Sequence, residues 1–479
     1  MELCDQKAEV ASLSRKVARL VQTSGHKVLP FLLATACQAL ALLGAFPAFS
    51  LSLAPAEVGI LALLCTSSTV SAAVVDSGVG SLVSRDLLQP VTAAGVWGLM
   101  STGLLLQLVF SLLTLVVSAF TFVLFDSRSM WIVVAFGAMT LASAQVLQWQ
   151  GVFRSERREW NFLVSSIISF LLPFAAAAMV ALTSHRFLPT LLALAGGLLI
   201  GSSVSLTWAV GPRLQCPDRQ SWGRVRSLGL PLVPHSLAAQ LLSNIPRWVL
   251  ASIAGLGAVA SFQVVSLVAA APMIAMGSIN NFWAVRVLEA SVQSRERVIR
   301  FWNERMLLLG LLMAVMASIV APYWSRRISS HDVTFRDFMA VGSLIAASVV
   351  PMVFYTSASH FLLAEEKVRR IVWCAPVAAA ITVGGAWLSV SRRGVLGAGL
   401  SVFGGQLVLA SFVWFVARRV GYPKRKPTDI AVLILTCFAA LGAGITRNPV
   451  VSLAGLLAAL ATALVGRRFG ESGVFAHEG

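Results

Sequence analysis

The residues best placed to do chemistry lie in one apolar run, LGLPLVPHSLAAQLLSNIPRWVLASIAG, at 228–255. On a helix turning 100° per residue, Ser236, Gln240, Ser243 and Arg247 fall within about 60° of one another, with Asn244 adjacent. The result is a polar stripe along one face of an otherwise apolar element. An arginine inside a membrane span costs roughly 2.5–3.5 kcal/mol on insertion scales, and such residues usually face a bundle interior or a water-filled cavity. A guanidinium there suits an anionic substrate, because its planar fork matches phosphate or carboxylate. Snorkelling of the same side chain to the nearer interface is the competing expectation. Gln263 and Asn281, eighteen residues or five full turns apart in the next run, would extend the polar lining if that run is one straight helix. Simple helix-to-helix hydrogen bonding by the two amides is the alternative.

A second candidate is Asp76, seven residues after Thr69 and near the end of another apolar run. It could take a coupling ion or proton, or it could cap a helix or pair with a nearby arginine. The six histidines are isolated from one another, and His235 is the one well inside a run, where packing or hydrogen bonding is the simpler role. Enzyme signatures are absent: the chain has no GxxxxGK[ST] loop, HExxH, GxSxG elbow or paired Cys/His spacing. No catalytic residue, metal-ligand set or cofactor is therefore expected. The six cysteines lack CxxC spacing, which argues against a disulfide or zinc framework.

The elements carrying these residues must cross a membrane. The chain has 479 residues, 57% hydrophobic and 12% charged, with mean hydropathy +0.82. A soluble domain would carry roughly 25% charged residues. Apolar runs of about 20 residues, enough to span a hydrocarbon core as helix, recur along the whole chain. They lack the alternation of a membrane barrel, so the expected fold is all-α, with about fourteen transmembrane helices. The runs are centred in 28–50, 57–82, 97–123, 130–152, 161–183, 187–210, 229–253, 257–281, 303–324, 336–362, 371–390, 395–417, 429–446 and 448–466.

The net charge of +17 does not mark a nucleic-acid protein, because the basic residues are scattered in short loops rather than gathered on one soluble face. Of the 37 lysines and arginines, 28 fall in the N-terminus and the loops on its side, 8 in the opposite loops, and Arg247 within a span. By the positive-inside rule both termini are cytoplasmic, in a multi-pass protein of the cytoplasmic (inner) membrane.

The expected organisation is a cytoplasmic N-terminal segment at 1–27, an N-terminal lobe at 28–210, a cytoplasmic hinge loop at 211–227, a C-terminal lobe at 228–417, two additional spans at 418–466 and a cytoplasmic tail at 467–479. The hinge loop, GPRLQCPDRQSWGRVRS, holds Pro, Gly and charges after six spans. An offset of 201 residues matches Leu29-Pro30 with Leu230-Pro231, Val58 with Val259 and Arg85 with Arg286. Parallel repeats of six spans are a common transporter architecture.

Four stretches resemble the oligosaccharide-flippase, or polysaccharide-biosynthesis, branch of the multidrug/oligosaccharidyl-lipid/polysaccharide exporter superfamily. They are LSLAPAEVGILALL with VVDSGVGSLVSRDL within 51–88, the run from Leu228 to Glu289, AEEKVRR at 364–370, and GVLGAGLSVFGGQLVLASFVWFVARR at 394–419. The resemblance implies two six-helix lobes around a central cavity, two additional C-terminal helices, and alternating-access movement of a polyprenyl-pyrophosphate-linked oligosaccharide toward the outer leaflet. Its implied partners are that lipid-linked oligosaccharide, membrane lipids and other polysaccharide-assembly proteins. The family usually places an acidic residue just before the arginine of the seventh span. This chain has Pro246 there, with Asn244 the nearest polar substitute, which leaves Arg247 freer to meet an anion. Two other functions stay open on the sequence: an ion-coupled exporter of small molecules in the same superfamily, and a polyprenyl-dependent glycosyltransferase or polymerase, which would call for a large outer loop or intramembrane carboxylates.

The loop bias sets a test of topology. In a cysteine-free background, single cysteines at Ser221 or Lys424 are expected to resist impermeant thiol reagents in intact cells, and one at Ser329 to react. The reverse pattern overturns the orientation.

Overall fold

The computed structural model describes residues 29–87, 95–124, 127–213, 215–328, 335–365, 372–423, 426–446 and 449–476. The expected N-terminal segment at 1–27 lies outside them. Helices dominate, and no strand occurs among the described residues. The first half comprises α1 (Leu29–Ser52), α2 (Pro55–Val75), α3 (Val79–Asp86), α4 (Val96–Leu124), α5 (Ser127–Ser155), α6 (Glu159–Ser166), α7 (Leu172–Ser184) and α8 (Phe187–Val210). A linker with the short helix α9 (Arg219–Arg224) leads to α10 (Leu230–Ala254). Beyond it come α11 (Leu256–Ala269), α12 (Ala271–Glu289), α13 (Val292–Ile328), α14 (Phe335–Ala347), α15 (Val349–Ala364), α16 (Cys374–Arg393), α17 (Val395–Arg418), α18 (Pro427–Thr446) and α19 (Pro449–Ala476). α19 thus carries on through most of the stretch expected as a tail.

Ten helices among the described residues are long and apolar enough to cross a membrane, or eleven if the bent pair α11–α12 counts as one. This is a multi-pass membrane protein. The fourteen expected runs all fall on helices, but the polar stripe and prolines of α10 lower its hydropathy, and α18 and α19 offer shorter apolar stretches, Pro427–Gly442 and Leu453–Val465. Hydroxyls inside the spans turn back to their own backbone: Thr102 donates to the Gly98 carbonyl at 2.9 Å, Ser118 to Thr114 at 2.7 Å and Thr140 to Phe136 at 2.9 Å. In lipid this removes donors that would otherwise go unmet.

Three spans are broken where the sequence suggested straight helices. The second ends at Val75, and Ser77 (φ 50°) and Gly78 (φ 76°) reverse the backbone into the left-handed region before α3. The eighth bends by 54° between α11 and α12, where Pro272 lacks an N–H and its ring excludes the carbonyl four residues back. The tenth breaks at Ser348, three residues before Pro351, and the Ser348 hydroxyl donates to the Leu344 carbonyl at 3.1 Å. The fifth span keeps its course, but as a π-turn at Ile167–Leu171 ahead of Pro173. Gln263 and Asn281 therefore sit on two segments of different direction, and the five-turn relation expected of them does not hold.

In the first half α5 packs against α2, α4 and α8. In the second, α10 lies on α16 and α17, while α18 and α19 pair with each other against α13 and α14. The halves meet along α2, which contacts α10 and α11. At one end a Cβ on Gly59 would collide with the Leu256 carbonyl. Mid-span, the Trp248 indole donates to Ser67 Oγ at 3.1 Å. At the linker end, a Cβ on Gly78 would stand 2.7 Å from the Gly229 carbonyl oxygen. Ser221 is buried, so a cysteine there would be shielded on either side of the membrane, and the labelling test rests on Lys424 and Ser329.

Because Gly59 brings two backbones together, Gly59→Leu must part α2 from α11. Overpacking of this kind costs about 1–3 kcal/mol. The expected outcome is a lower melting temperature of the purified protein in detergent, while Gly196→Leu, at an open position, leaves it unchanged.

Candidate functional site

The polar stripe of α10 converges on Arg247. Its Nε donates to Gln263 Oε1 of α11 at 2.8 Å, and its Nη2 to Ser266 Oγ at 3.1 Å. Nη1 donates to the Ser243 carbonyl at 2.9 Å and to Asn244 Oδ1 at 3.3 Å. The Phe262 ring lies beneath the guanidinium carbon, 5.4 Å from centroid to Cζ. These bonds occupy four of the five guanidinium N–H groups, leaving one on Nη2. All four acceptors are neutral, so the side chain is well solvated by protein yet keeps its whole charge.

The direction of the side chain separates the two expectations for it. Arg247 is seven residues from the C-terminal end of α10 at Ala254, roughly 10 Å at 1.5 Å per residue. Snorkelling would carry the guanidinium toward that end. Instead it folds back to Ser243 and Asn244, one turn toward the N-terminus and deeper into the span. This follows from the tilt of helical Cα–Cβ bonds, and Gln263 and Ser266 hold it there.

Of the other expected stripe residues, Asn244 is buried beside Arg247 and its amide donates to the Gln240 carbonyl at 2.9 Å. Gln240 itself is exposed, Ser243 is half-buried and contributes its backbone oxygen, and Ser236 lies two turns further toward the linker end, away from the guanidinium. The side chain of Asn281 lies outside the described residues. Sequence reasoning missed Ser266 and Phe262. Ser266 was accessible in principle, since it follows Gln263 by three residues and so shares its face.

Asp76 does not join this cluster. It lies nine residues past Ser67, roughly 13 Å along the helix axis toward the linker end. There its two carboxylate oxygens accept the Gly80 N–H at 3.1 and 3.0 Å. The carboxylate thus caps the start of α3 across the left-handed turn. Thr69, by contrast, is exposed. The histidines inside the second half also meet neutral partners: a His235 ring nitrogen lies 3.2 Å from the Tyr355 hydroxyl, and one of His360 lies 2.6 Å from Asn280 Oδ1.

With this geometry in place, comparison with known proteins decides the family. A profile described as "Polysaccharide biosynthesis protein" matches residues 24–281, more than half of the chain and the whole of the Arg247 cluster. The chain belongs to the polysaccharide biosynthesis protein family. No curated protein sequence matches it. Among solved structures, an inward-facing multidrug resistance MATE family transporter of the MOP superfamily is similar over 81% of this chain and 98% of its own, with 12% identity and a TM-score of 0.60. An outward-facing MATE family transporter is similar over 82% and 94%, with 14% identity and a TM-score of 0.57. A MATE in complex with MaL6 gives the same coverage, 12% identity and a TM-score of 0.59. At such identities the likeness is one of fold. This member of the polysaccharide biosynthesis family is built on the fold of MOP-superfamily exporters.

The cap geometry of Asp76 generates a prediction. Asp76→Asn keeps an acceptor for Gly80 and is expected to preserve accumulation and function, whereas Asp76→Ala loses the cap, worth about 1 kcal/mol. A coupling role reverses the first expectation, since an amide cannot cycle a proton; surface-glycan output of cells carrying Asp76→Asn at normal protein level checks it.

Proposed function

We propose that the protein is a flippase that moves a polyprenyl-pyrophosphate-linked oligosaccharide across the cytoplasmic membrane by alternating access, for cell-surface polysaccharide assembly. The observation that carries this reading is the Arg247 guanidinium, turned into the span and held by Gln263, Ser266, Asn244 and the Ser243 carbonyl without a carboxylate among them. A cation kept in place by neutral acceptors has no internal counter-charge to displace before it meets an anion. The pyrophosphate is the anionic group of such a substrate, and the guanidinium N–H not committed to the protein can be donated to a phosphate oxygen. Family membership supports this reading of the pathway, and the bias of basic residues toward the N-terminal side favours a cytoplasmic linker end. The prenyl tail stays in lipid between the halves while the glycan crosses on the polar side of α10. Other polysaccharide-assembly proteins would supply the substrate on one face and take it up on the other.

Removal of a charge-assisted contact of this kind costs about 1.5–3 kcal/mol, roughly ten- to hundredfold in binding. Arg247→Ala is therefore expected to reduce export strongly in a protein that still inserts and accumulates. Arg247→Lys is expected to rescue in part, since an ammonium keeps the charge but cannot make all four bonds to Gln263, Ser266, Asn244 and the Ser243 carbonyl that hold the guanidinium in place. Surface glycan and accumulated lipid-linked intermediate are the quantities to measure. Full export by Arg247→Gln at normal protein level would sink the assignment.

A further inference from the structure

The linker between the halves reads in sequence as a flexing loop, but two of its four arginines, Arg213 and Arg224, are spent on docking. Arg213 Nη1 pairs with Glu156 at 2.6 Å, just past α5, and its guanidinium lies 5.1 Å from the Trp97 ring centroid of α4. Glu156 is held in turn by Arg158 at 3.0 Å. Arg224 Nη2 reaches Asp86 Oδ2 at the end of α3 at 2.6 Å, and the Asp86 side chain is only 1% exposed. Asp218 caps α9 by accepting the Ser221 N–H at 2.7 Å. The Ser221 hydroxyl and that amide together hold the Asp218 carboxyl below its usual range. Ser221 is buried against α4: a Cβ on Gly98 would stand 2.5 Å from its Oγ and 3.6 Å from its Cβ. All these partners belong to the segment from α3 to the end of α5, in the first half.

The backbone changes character immediately after. Val225–Gly229 form a π-turn, and α10 then opens with Pro231 and Pro234, which remove two N–H donors from its first turns. At this point a Cβ on Gly229 would stand 2.6 Å from the Ser77 carbonyl oxygen, and one on Gly78 would stand 2.7 Å from the Gly229 oxygen. Two backbones touch there with no side chain between them, next to the left-handed turn at Ser77–Gly78.

We propose that residues 211–213 and 215–224 are a fixed part of the first half, and that the second half turns on the first at the π-turn Val225–Gly229, where Gly229 bears on Ser77–Gly78. The proposal rests on the alternating-access reading above for what the turning accomplishes, but the docking itself does not depend on any substrate. It narrows the hinge from 211–227 as a whole to its last three residues and the two that follow, 225–229. Buried pairing of Asp86 with Arg224 favours the docked state, because undocking would strand the carboxylate among the buried residues of α3 and α4.

A disulfide tests this directly. The 3.6 Å between the Cβ positions of Gly98 and Ser221 lies inside the range of about 3.5–4.5 Å that a disulfide requires. Gly98→Cys with Ser221→Cys, in the full-length cysteine-free protein in native membranes, would be oxidised mildly. The cross-linked fraction is read by mass spectrometry, and glycan export is read before and after reduction. The expected result is near-complete cross-linking whether or not substrate synthesis is running, with export by the oxidised form within about twofold of the reduced form. Cross-linking of less than half the protein, or export that stops on oxidation and returns on reduction, overturns the proposal. Should the pair prevent folding, Asp86→Cys with Arg224→Cys, at positions whose side chains meet at 2.6 Å, joined by a short bifunctional thiol cross-linker, gives the same readout. Asp86→Arg and Arg224→Asp singly are expected to lower the cross-linked fraction several-fold, and together to restore it. The cross-link yield requires no transport, so failure of the flippase reading, seen with the Arg247 variants, leaves it unmoved.

Discussion

The contact of α2 with α10 and α11 governs how everything else is presented. Two helices in lipid gain little from hydrophobicity, so close approach depends on small residues and on polar bonds. Gly59 and Gly78 supply the approach at either end, and the Trp248 indole on Ser67 fixes the rotation of α10 between them. Residues 247 and 248 are 100° apart on the helix. With Trp248 directed at α2, Arg247 is turned toward α11, where Gln263 and Ser266 await it. A single interhelical bond thereby sets the phase of the whole polar stripe, including the exposed Gln240 two turns away on the same face.

Prolines accompany the breaks in the eighth and tenth spans, and the left-handed Ser77–Gly78 turn makes the break in the second. Local hydrogen bonds accompany several of these irregular points: the Asp76 carboxylate takes the Gly80 N–H, the Ser348 hydroxyl donates to a carbonyl one turn back, and the π-turns before Pro173 and Pro231 shift the hydrogen-bond register. Irregular backbone at membrane depth is tolerated only where protein satisfies it. The breaks in the eighth and tenth spans both fall in the second half, where α12 and α15 are packed together and bridged by His360 and Asn280. Long uninterrupted helices occur in both halves, α4 and α5 of 29 residues each in the first and α13 of 37 in the second. The linker docks on the first.

The sequence made the spans legible because crossing lipid demands about 20 apolar residues and few charges, a signal too long to arise by accident. The stripe on α10 was legible for the same geometric reason, since 100° per residue fixes a face before any neighbour is known. What failed was every inference that carried a helix across a break. Gln263 and Asn281 share a phase only on a straight span, and Asp76 shares a face with Thr69 only if α2 continues past Val75. The linker misled in another way. Composition marks Pro, Gly and Arg as solvent-facing, but it cannot distinguish a solvated arginine from one paired to a buried Asp86 on a segment more than a hundred residues away. Phe262, a lone aromatic in an apolar run, gave no sign that it would floor the Arg247 site.

The neutral surroundings of Arg247 are themselves an argument about what the site can bind. A carboxylate in place of Pro246 or Asn244 would cancel the charge locally, and an incoming anion would have to compete for it. Neutral acceptors stabilise the cation by dipoles while its field extends beyond them. Two unit charges 4 Å apart at an effective dielectric near 20 attract by about 4 kcal/mol. That attraction is of the same order as the several kcal/mol an anion loses on desolvation, so the two terms nearly offset. The single unused N–H points the same way. A fully open guanidinium would grip a phosphate with two parallel bonds, whereas one already committed to Gln263, Ser266, Asn244 and the Ser243 carbonyl offers attraction with little geometric grip. Such a site suits a group that must pass rather than stay.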